Sequence, residues 1–249
     1  MNTAAPASTA APSRRARLRA DMISQIKAEA RRQLAELGPG AISLRGIARE
    51  IGTASSALFR YFPSQNDLIT ALVTDAYDSL AQALTAAAES RPPADHTGRW
   101  RAICQAYRDW SLADTPAFAL IHGTPLLGYQ APAHLTGPPA GRALEVALRA
   151  YHAAVAAGAA DPARSQVPQS MGMGPLLPTL LGDRAAAYEP RLTAIVLGAW
   201  AAMAGYLATE IFGSLAYLVT DTAALYHAHI RSEMLAMGYD PELVATLSG

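Results

Sequence analysis

Two short apolar helical patterns, separated by a single glycine, constrain this chain more than any other feature of its sequence. Ile47 and Ile51 share one face of the first pattern, and Gly52 follows directly. Leu58 and Phe62 are the apolar residues of the second pattern. Because glycine adopts the left-handed conformation without strain, Gly52 predicts the end of one helix and a tight turn into the next. The segment therefore predicts a helix-turn-helix.

The rest of the chain is predicted to be helical as well. An earlier helix ends at Gly38-Pro39-Gly40, and Ser64 with Asp67 predicts a capped start for a long helix over 65–89. Later helices are predicted near 98–112, 142–157, 190–216 and 222–237. The predicted fold is all-α, with an N-terminal three-helix helix-turn-helix domain and a larger helical bundle.

Proline and glycine interrupt this helical pattern in two places. Residues 115–141 carry no formal charge and contain five Pro and four Gly, so only their first turns are predicted to be helical. Residues 158–182 are a second such stretch and are predicted to be loop.

Charge is divided unevenly along the chain. Residues 1–64 hold ten basic and four acidic groups, whereas residues 65–249 hold ten basic and sixteen acidic groups. A cationic N-terminal part indicates a polyanion as its partner. Residues 1–16 lack an apolar run of signal-peptide type and read as a mobile arm. We therefore predict a flexible basic arm over 1–16, a helix-turn-helix DNA-binding domain over 17–64 and a larger helical domain over 65–249.

Several classes of protein are disfavoured by what the sequence lacks. Cys104 is the single cysteine, so neither a disulfide framework nor a cysteine zinc site is available. The sequence shows no nucleophile–base set, no spaced pair of carboxylates and no phosphate-cradling glycine loop, which disfavours an enzyme and predicts no cofactor. His122 and His134 have no third ligand at matching spacing, so no metal is predicted. An all-α enzyme remains the least favoured alternative.

The longest uncharged stretch near the C-terminus bears on membranes and on assembly. Leu192 to Thr209 runs 18 residues without a charge, the shortest length of a membrane span. Because it is rich in Ala and Gly and is followed by Glu210, we predict a helix buried in protein, no membrane, and a cytoplasmic chain. Its apolar surface exceeds what one small domain covers, which predicts a homodimer through helices near 190–216 and 222–237.

The outer side of the second short helix carries small or hydrogen-bonding side chains that can lie against DNA. These residues are Ser55, Ser56, Phe59, Arg60 and Tyr61.

The chain resembles TetR-type (tetracycline-repressor-like) transcriptional regulators in three segments, ISLRGIAREIG at 42–52, LFRYFPS at 58–64 and DL at 67–68. The resemblance covers about residues 18–70. The later segment 107–132 resembles the regulatory domain of one TetR-like subgroup common in high-GC bacteria. The resemblance implies a homodimer on a palindromic operator in double-stranded DNA. It also implies that residues 65–249 are a helical regulatory and dimerisation domain, whose small-molecule effector moves the DNA-binding heads apart.

The resemblance also assigns DNA contacts residue by residue. Ser43 matches a phosphate-contacting cap and Arg45 a base or phosphate contact, while Phe59 and Tyr61 match aromatic residues that pack on the sugar–phosphate backbone. The base-reading end of the helix is Ser55 to Ala57. The full set of predicted DNA-binding residues is Arg14, Arg15, Arg17, Ser43, Arg45, Thr53, Ser55, Ser56, Ala57, Phe59, Arg60 and Tyr61.

Three positions depart from the family pattern. Phe59 lacks the hydroxyl of the commoner Tyr, and Gln65 stands where a Lys is usual. Ala54 stands where a capping Ser is usual, which leaves Thr53 as the predicted N-cap. The arginines at 14, 15, 17 and 19 can compensate electrostatically, in the minor groove.

The C-terminal part supplies aromatic and sulfur-containing side chains with few charges, as an apolar ligand requires. The candidate ligand-binding residues are Trp100, Tyr107, Trp110, Phe118, His122, Tyr129, Trp200, Met203, Tyr206 and Glu210. The alternative for each aromatic is a place in the core, and Glu210 can instead pair with an arginine. We favour a repressor released from its operator by such a ligand, with a ligand-independent architectural DNA-binding protein as the alternative.

Overall fold

The computed structural model describes residues 13–38, 40, 42–123, 126 and 128–247. Within these ranges the chain forms eleven α-helices, with three short 3-10 helices at Pro162–Arg164, Gly182–Ala187 and Leu215–Tyr217. The α-helices are α1 (Arg14–Leu37), α2 (Leu44–Glu50), α3 (Ser55–Leu58), α4 (Gln65–Glu89), α5 (His96–Ala113), α6 (Thr115–His122), α7 (Ala133–Ala156), α8 (Leu177–Leu181), α9 (Pro190–Ile211), α10 (Thr222–Ala236) and α11 (Pro241–Ala245). The predicted all-α fold is confirmed, since β pairing in the described ranges is limited to one isolated bridge between Ala160 and Tyr239.

The chain separates into two compact units, Met1–Leu68 and Ile69–Gly249, which we call the head and the body. The head packs α1 to α3 around a small core. Ile26 of α1, Ile47 of α2 and Leu58 of α3 are each fully buried there. Burial of one apolar residue from each helix fixes the three helices against one another.

The beginning of α1 differs from the predicted flexible arm. Residues 1–12 of that arm lie outside the described residues, but Arg14 and Arg15 lie in the first turn of the helix. Ser13 is the N-cap, and its hydroxyl oxygen accepts a hydrogen bond from the backbone N–H of Ala16 at 3.2 Å. A cap at Ser13 starts the helix earlier than the predicted boundary at residue 17.

The body contains most of the buried side chains. Helices α5, α7 and α9 pack against one another, and α10 packs on α9. Tyr226 of α10 is fully buried, and its hydroxyl donates to the backbone oxygen of Cys104 at 2.7 Å. This hydrogen bond ties α10 to α5 inside the core.

The predictions for the two Pro/Gly-rich segments are wrong in one respect each. Helix α7 begins at Ala133, well before the predicted start near 142, and it continues through Pro138 and Pro139. A side chain at Gly141 would overlap the backbone carbonyl of Leu180 in α8, a helix that lies within the predicted loop 158–182. The small residues thus allow α7 and α8 to pack closely, and this tertiary packing outweighs the local helix-breaking tendency.

Helix α9 is long and apolar enough to cross a membrane, and 39% of its most apolar window is buried within the chain. Its exposed residues carry no charge and are mostly small; they are Pro190, Leu197, Gly198, Ala201, Gly205 and Thr209. An uncharged exposed face of this length is suited to packing against another protein surface.

Candidate nucleic-acid interface

The turn between α2 and α3 sets the direction of α3. Gly52 has φ +69°, the left-handed conformation that the sequence predicts. The backbone N–H of Thr53 donates to the carbonyl of Ala48 at 2.9 Å, and that of Gly52 donates to Arg49 at 3.3 Å. These two bonds form a Schellman motif, which satisfies the last carbonyls of α2 and turns the chain sharply into α3.

The start of α2 is fixed by Ser43 and by a residue that the sequence analysis missed. The Ser43 hydroxyl oxygen accepts from the backbone N–H of Gly46 at 3.3 Å, which leaves its own proton available for an anion. The backbone N–H of Ser43 donates to the side-chain oxygen of Gln33 at 3.3 Å. Gln33 is buried, and it occurs within the apolar spacing of Ile26 and Ala30, which was the signal for its structural role.

Helix α3 is short and is anchored from its inner side. Leu58 is fully buried and Phe62 is 7% exposed, as the helix-turn-helix prediction requires. The prediction that Thr53 caps this helix is wrong. The N-cap position is Ala54, which makes no side-chain capping bond, and the N–H of Thr53 belongs to the preceding turn.

The predicted DNA-binding residues differ in how much of each side chain is exposed to solvent. Exposed residues are Arg14, Arg15, Arg17, Arg45, Ser56, Phe59 and Arg60. Half-buried residues are Ser43, Thr53, Ser55, Ala57 and Tyr61. Their roles remain predictions, but the exposed set has the side chains that contacts with phosphates and base edges need.

Four of the arginines of the head converge on one concave surface, which we call the arginine cleft. It is lined by Arg14, Arg15, Leu18, Arg19, Arg60 and Tyr61 and has a volume of about 690 Å³. The Arg19 guanidinium lies over the Tyr61 ring, 5.2 Å from its centroid. The cleft thus joins the start of α1 to the residues that directly follow α3, and Arg17 does not line it.

In the body, four of the candidate ligand-binding residues form one cluster. The Tyr107 hydroxyl and His122 Nε2 are 2.7 Å apart and hydrogen-bonded. Tyr107 stacks on Trp200 with 4.8 Å between the ring centroids, and the ring centroids of Phe118 and His122 are 5.0 Å apart. Burial lowers the pKa of His122 to about 4 and raises that of Tyr107, so both groups are neutral at pH 7. The cluster offers neutral aromatic surface with one polar pair.

The other candidate ligand-binding residues lie elsewhere in the body. Trp100 is fully buried and belongs to a separate aromatic group, with ring centroids 6.3 Å from Tyr151 and 6.2 Å from Tyr239. Four of the remaining residues have other hydrogen-bond partners: Trp110 Nε1 donates to Ser79 Oγ at 2.9 Å, the hydroxyls of Tyr129 and Thr70 are 3.1 Å apart, the Tyr206 hydroxyl donates to the Thr222 carbonyl at 2.6 Å, and Glu210 accepts from Arg108 Nη2 at 2.6 Å. Met203 is buried in the core. The structure therefore gathers part of the predicted set and gives the rest separate partners.

Among the residues that the structure describes, His, Cys, Asp and Glu side chains do not form a group of three or more that could hold a metal ion.

Two family models match the chain. The model described as bacterial regulatory proteins, tetR family, matches residues 26–72, and that of the tetracyclin repressor-like C-terminal domain matches residues 100–232. An HTH-type transcriptional regulator of Mycobacterium tuberculosis is 31% identical over 218 residues, which span 86% of this chain and 92% of that protein. A Mycobacterium bovis regulator matches with the same values.

Solved structures agree with these sequence relatives. The crystal structure of the regulatory protein SCO4313 is 30% identical, has a TM-score of 0.69, and is matched over 90% of this chain and 99% of that chain. A bacterial regulatory protein in the tetR family from Rhodococcus RHA1 shares the fold at 17% identity, with a TM-score of 0.60 and coverage of 88% and 97%.

Proposed function

Since this chain belongs to the TetR family of transcriptional regulators and is not an enzyme, we propose that it is a dimeric repressor released from a palindromic operator by a small, largely apolar ligand. The observation that carries the proposal is the Gly52 turn, which presents the outer side of α3 on a cationic head. Its partner is chromosomal DNA, which places the protein in the cytoplasm.

In the proposed complex, α3 enters the major groove. The arginines of the head contact DNA phosphates and provide salt-dependent affinity, and the side chains of α2 and α3 contact base edges and determine sequence specificity. Arg45 is the strongest candidate for a base contact, because its side chain is exposed at the start of α2 and no ion pair is seen for it in the described part of the chain. A guanidinium can bind the O6 and N7 atoms of guanine together.

Replacing Arg45 by alanine is expected to weaken operator binding by about 1–3 kcal/mol, the cost of losing one bidentate base contact. The operator is first located by footprinting the protein on the DNA that flanks its own gene. Affinity is then measured by fluorescence anisotropy at one fixed salt concentration.

Arg49→Ala is the matched control for this experiment. Arg49 lies on the same helix, is 80% exposed and faces Glu50 at 3.5 Å, so its loss removes the same formal charge without a proposed base contact. Equal losses in the two variants would reduce the role of Arg45 to general charge, and an unchanged affinity of Arg45→Ala would remove it from the interface.

The cluster of Tyr107, His122, Phe118 and Trp200 supports an effector with aromatic or apolar surface and one polar group. Such a ligand would stack on the rings and exchange hydrogen bonds with the neutral Tyr107–His122 pair. Binding would shift the population toward a dimer that no longer fits the operator. Release of footprinted DNA by candidate metabolites tests this part of the proposal.

The uncharged face of α9 and the neighbouring helix α10 support the dimer. Leu197 on α9 is 37% exposed and Leu225 on α10 is 38% exposed, although both are apolar. Gly198, Ala201 and Gly205 allow another helix to approach α9 closely. We assign the interface to a four-helix arrangement of α9 and α10 from two copies.

Leu197→Glu is expected to convert the dimer into a monomer in sedimentation velocity at micromolar concentration. The dimer would bury two unpaired carboxylates near each other, which raises the dissociation constant by more than about 100-fold. Leu135→Glu is the control, because Leu135 on α7 is 50% exposed but lies outside the proposed interface. A wild-type protein that sediments as a monomer, or a Leu197→Glu dimer, contradicts this assignment.

A further inference from the structure

We propose that a groove between α4 and α7 binds a small zwitterion, a molecule with an ammonium group and a carboxylate at opposite ends of a short apolar stem. The groove lies in the body and has a volume of about 560 Å³, a size typical of sites for small molecules. It shares no lining residue with the cluster of Tyr107, His122, Phe118 and Trp200. The proposal therefore goes beyond the apolar effector of the proposed function and is tested separately from it.

One face of each helix forms a wall of the groove. On α4 the lining residues begin at Asp78 and end at Glu89, and on α7 they begin at Arg142 and end at Arg149. Within each helix they follow the three- and four-residue spacing of a single helix face. Val146 lies between the charged residues of α7 and is buried, so the bottom of the groove is apolar.

Four of the six charged residues described in the lining are already paired. Arg142 Nε donates to the Asp78 carboxylate at 3.1 Å and joins α7 to α4. Arg184 Nε lies 2.9 Å from the Glu145 carboxylate, which also accepts from the Tyr188 hydroxyl at 3.2 Å. These contacts hold the walls in place, so the groove is formed before a ligand enters it, which lowers the cost of binding.

Glu89 and Arg149 are the two charged lining residues that remain. Both are exposed, and neither forms an ion pair with a residue that the structure describes. They carry opposite charges on opposite walls, and each is the lining residue of its helix that is furthest in sequence from the Asp78–Arg142 pair. This part of the groove therefore presents one anion and one cation, which is the electrostatic complement of a zwitterion.

The spacing of the walls indicates the length of the ligand. The axes of packed helices lie about 8–10 Å apart. Opposite charges on neighbouring helices are therefore suited to a ligand whose charged groups are several ångströms apart, as in an ω-amino acid or a short peptide. An α-amino acid carries both groups on one carbon and reaches the two walls less well.

Each end of the ligand has a partner in the proposed complex. The Arg149 guanidinium binds the carboxylate through two parallel N–H···O bonds, and the Glu89 carboxylate accepts from the ammonium group. The stem lies over Ala81 and Val146, which are 8% and 4% exposed. Hydrogen bonds between charged groups are stronger than neutral ones, so the loss of either end is expected to weaken binding by about 10-fold.

The test compares 6-aminohexanoate, which carries both charges, with hexanoate and hexylamine, which carry one charge each. Ligand-detected NMR titration of the whole chain is expected to give 6-aminohexanoate a dissociation constant about 10-fold below those of the other two. Equal binding of hexanoate would assign the groove to a simple anion, and equal binding of hexylamine to a simple cation. Either result, or no binding of 6-aminohexanoate, overturns the proposal.

Arg149→Gln and Glu89→Gln locate the bound molecule. Each variant is expected to raise the dissociation constant of 6-aminohexanoate by about 10-fold. Arg164→Gln is the control, because Arg164 is 52% exposed but does not line the groove. Unchanged binding in both groove variants, or an equal loss in the control, contradicts the assignment. Circular dichroism and thermal unfolding establish that the variants are folded.

The exchange variant Glu89→Arg/Arg149→Glu distinguishes recognition of charge from a structural role. It keeps one cation and one anion on opposite walls, so 6-aminohexanoate is expected to bind again in the reversed orientation. A folded exchange variant that binds no better than the single variants would contradict recognition by charge.

Two further probes separate the sources of such a ligand. Trialanine carries the same two charges on a peptide stem, and leucine carries them on one carbon. Tighter binding of trialanine than of 6-aminohexanoate assigns the groove to a short peptide, and the reverse order assigns it to an ω-amino acid. Leucine that binds as tightly as either would overturn the requirement for separated charges.

Discussion

Replacing Gly238 by alanine is expected to lower the free energy of unfolding by about 2–5 kcal/mol. Gly238 follows α10 with φ +91°, and the left-handed conformation costs an L-residue about 1–2 kcal/mol. An added methyl group would also overlap the backbone carbonyl of Asp161, and overpacking of this kind costs about 1–3 kcal/mol. The backbones of Gly238 and Asp161 cannot move apart easily, because the Asp161 N–H donates a hydrogen bond to the Gly238 carbonyl oxygen at 2.8 Å.

Gly158→Ala separates the two costs. Gly158 has φ +72°, but a methyl group there would meet open space, so the variant is expected to lose only about 1–2 kcal/mol. Urea unfolding followed by circular dichroism measures both variants. The melting temperature of Gly238→Ala should fall by about 4–20 °C, given about 2–4 °C per kcal/mol for a chain of this size. Equal losses at the two glycines would mean that the contact with Asp161 carries no steric cost.

Elements with local signals were predicted well. Helix α4 spans Gln65–Glu89, the range that the sequence predicts, because its start is encoded by neighbouring residues. The Ser64 hydroxyl accepts from the backbone N–H of Asp67 at 3.1 Å and donates to its carboxylate at 2.7 Å. The Gly52 turn was predictable for the same reason, since its Schellman bonds join residues that are close in sequence.

Elements that depend on distant partners were not predictable. Residues 133–141 contain two prolines and two glycines, and nothing local shows that α8 packs on them. The contact of Arg19 with the Tyr61 ring likewise joins residues that are distant in sequence. The hydrogen bond from the Ser43 N–H to the Gln33 side chain also joins two different helices of the head. A one-dimensional pattern shows which side chains are present, but such pairings follow only from the packing of α1 against α2 and α3.

Glu210 shows how the structure chooses between alternatives that the sequence left open. Its carboxylate is paired with Arg108, through Nε at 2.9 Å and Nη2 at 2.6 Å, and the two side chains are only 7% and 12% exposed. Burial raises the pKa of Glu210, but the hydrogen bonds from Arg108 and Thr222 outweigh this effect and leave it below the usual 4.5. The pair joins α5 to α9 and holds Glu210 ionised.

Arg108→Ala is expected to cost about 3–5 kcal/mol of unfolding free energy at pH 7, because it leaves a buried carboxylate without its partner. Arg108→Met/Glu210→Met is the matched variant, and it should recover most of this loss, since paired burial of apolar side chains carries no desolvation penalty for charge. A double variant as unstable as Arg108→Ala would show that packing, not the unpaired charge, causes the loss.

The difference in unfolding free energy between Arg108→Ala and the wild type should become smaller as the pH falls. The sign of this change follows from the protonation of Glu210 in each of the two proteins. In the wild type the pKa of Glu210 is lowered, so its contribution is present above about pH 4.5 and is lost as pH falls through the lowered value. In the variant the buried, unpaired carboxyl instead favours its proton, so its penalty is largest at neutral pH and is relieved in acid. Urea unfolding at pH 7 and pH 4 measures both, and a difference that stays constant with pH would contradict an electrostatic origin.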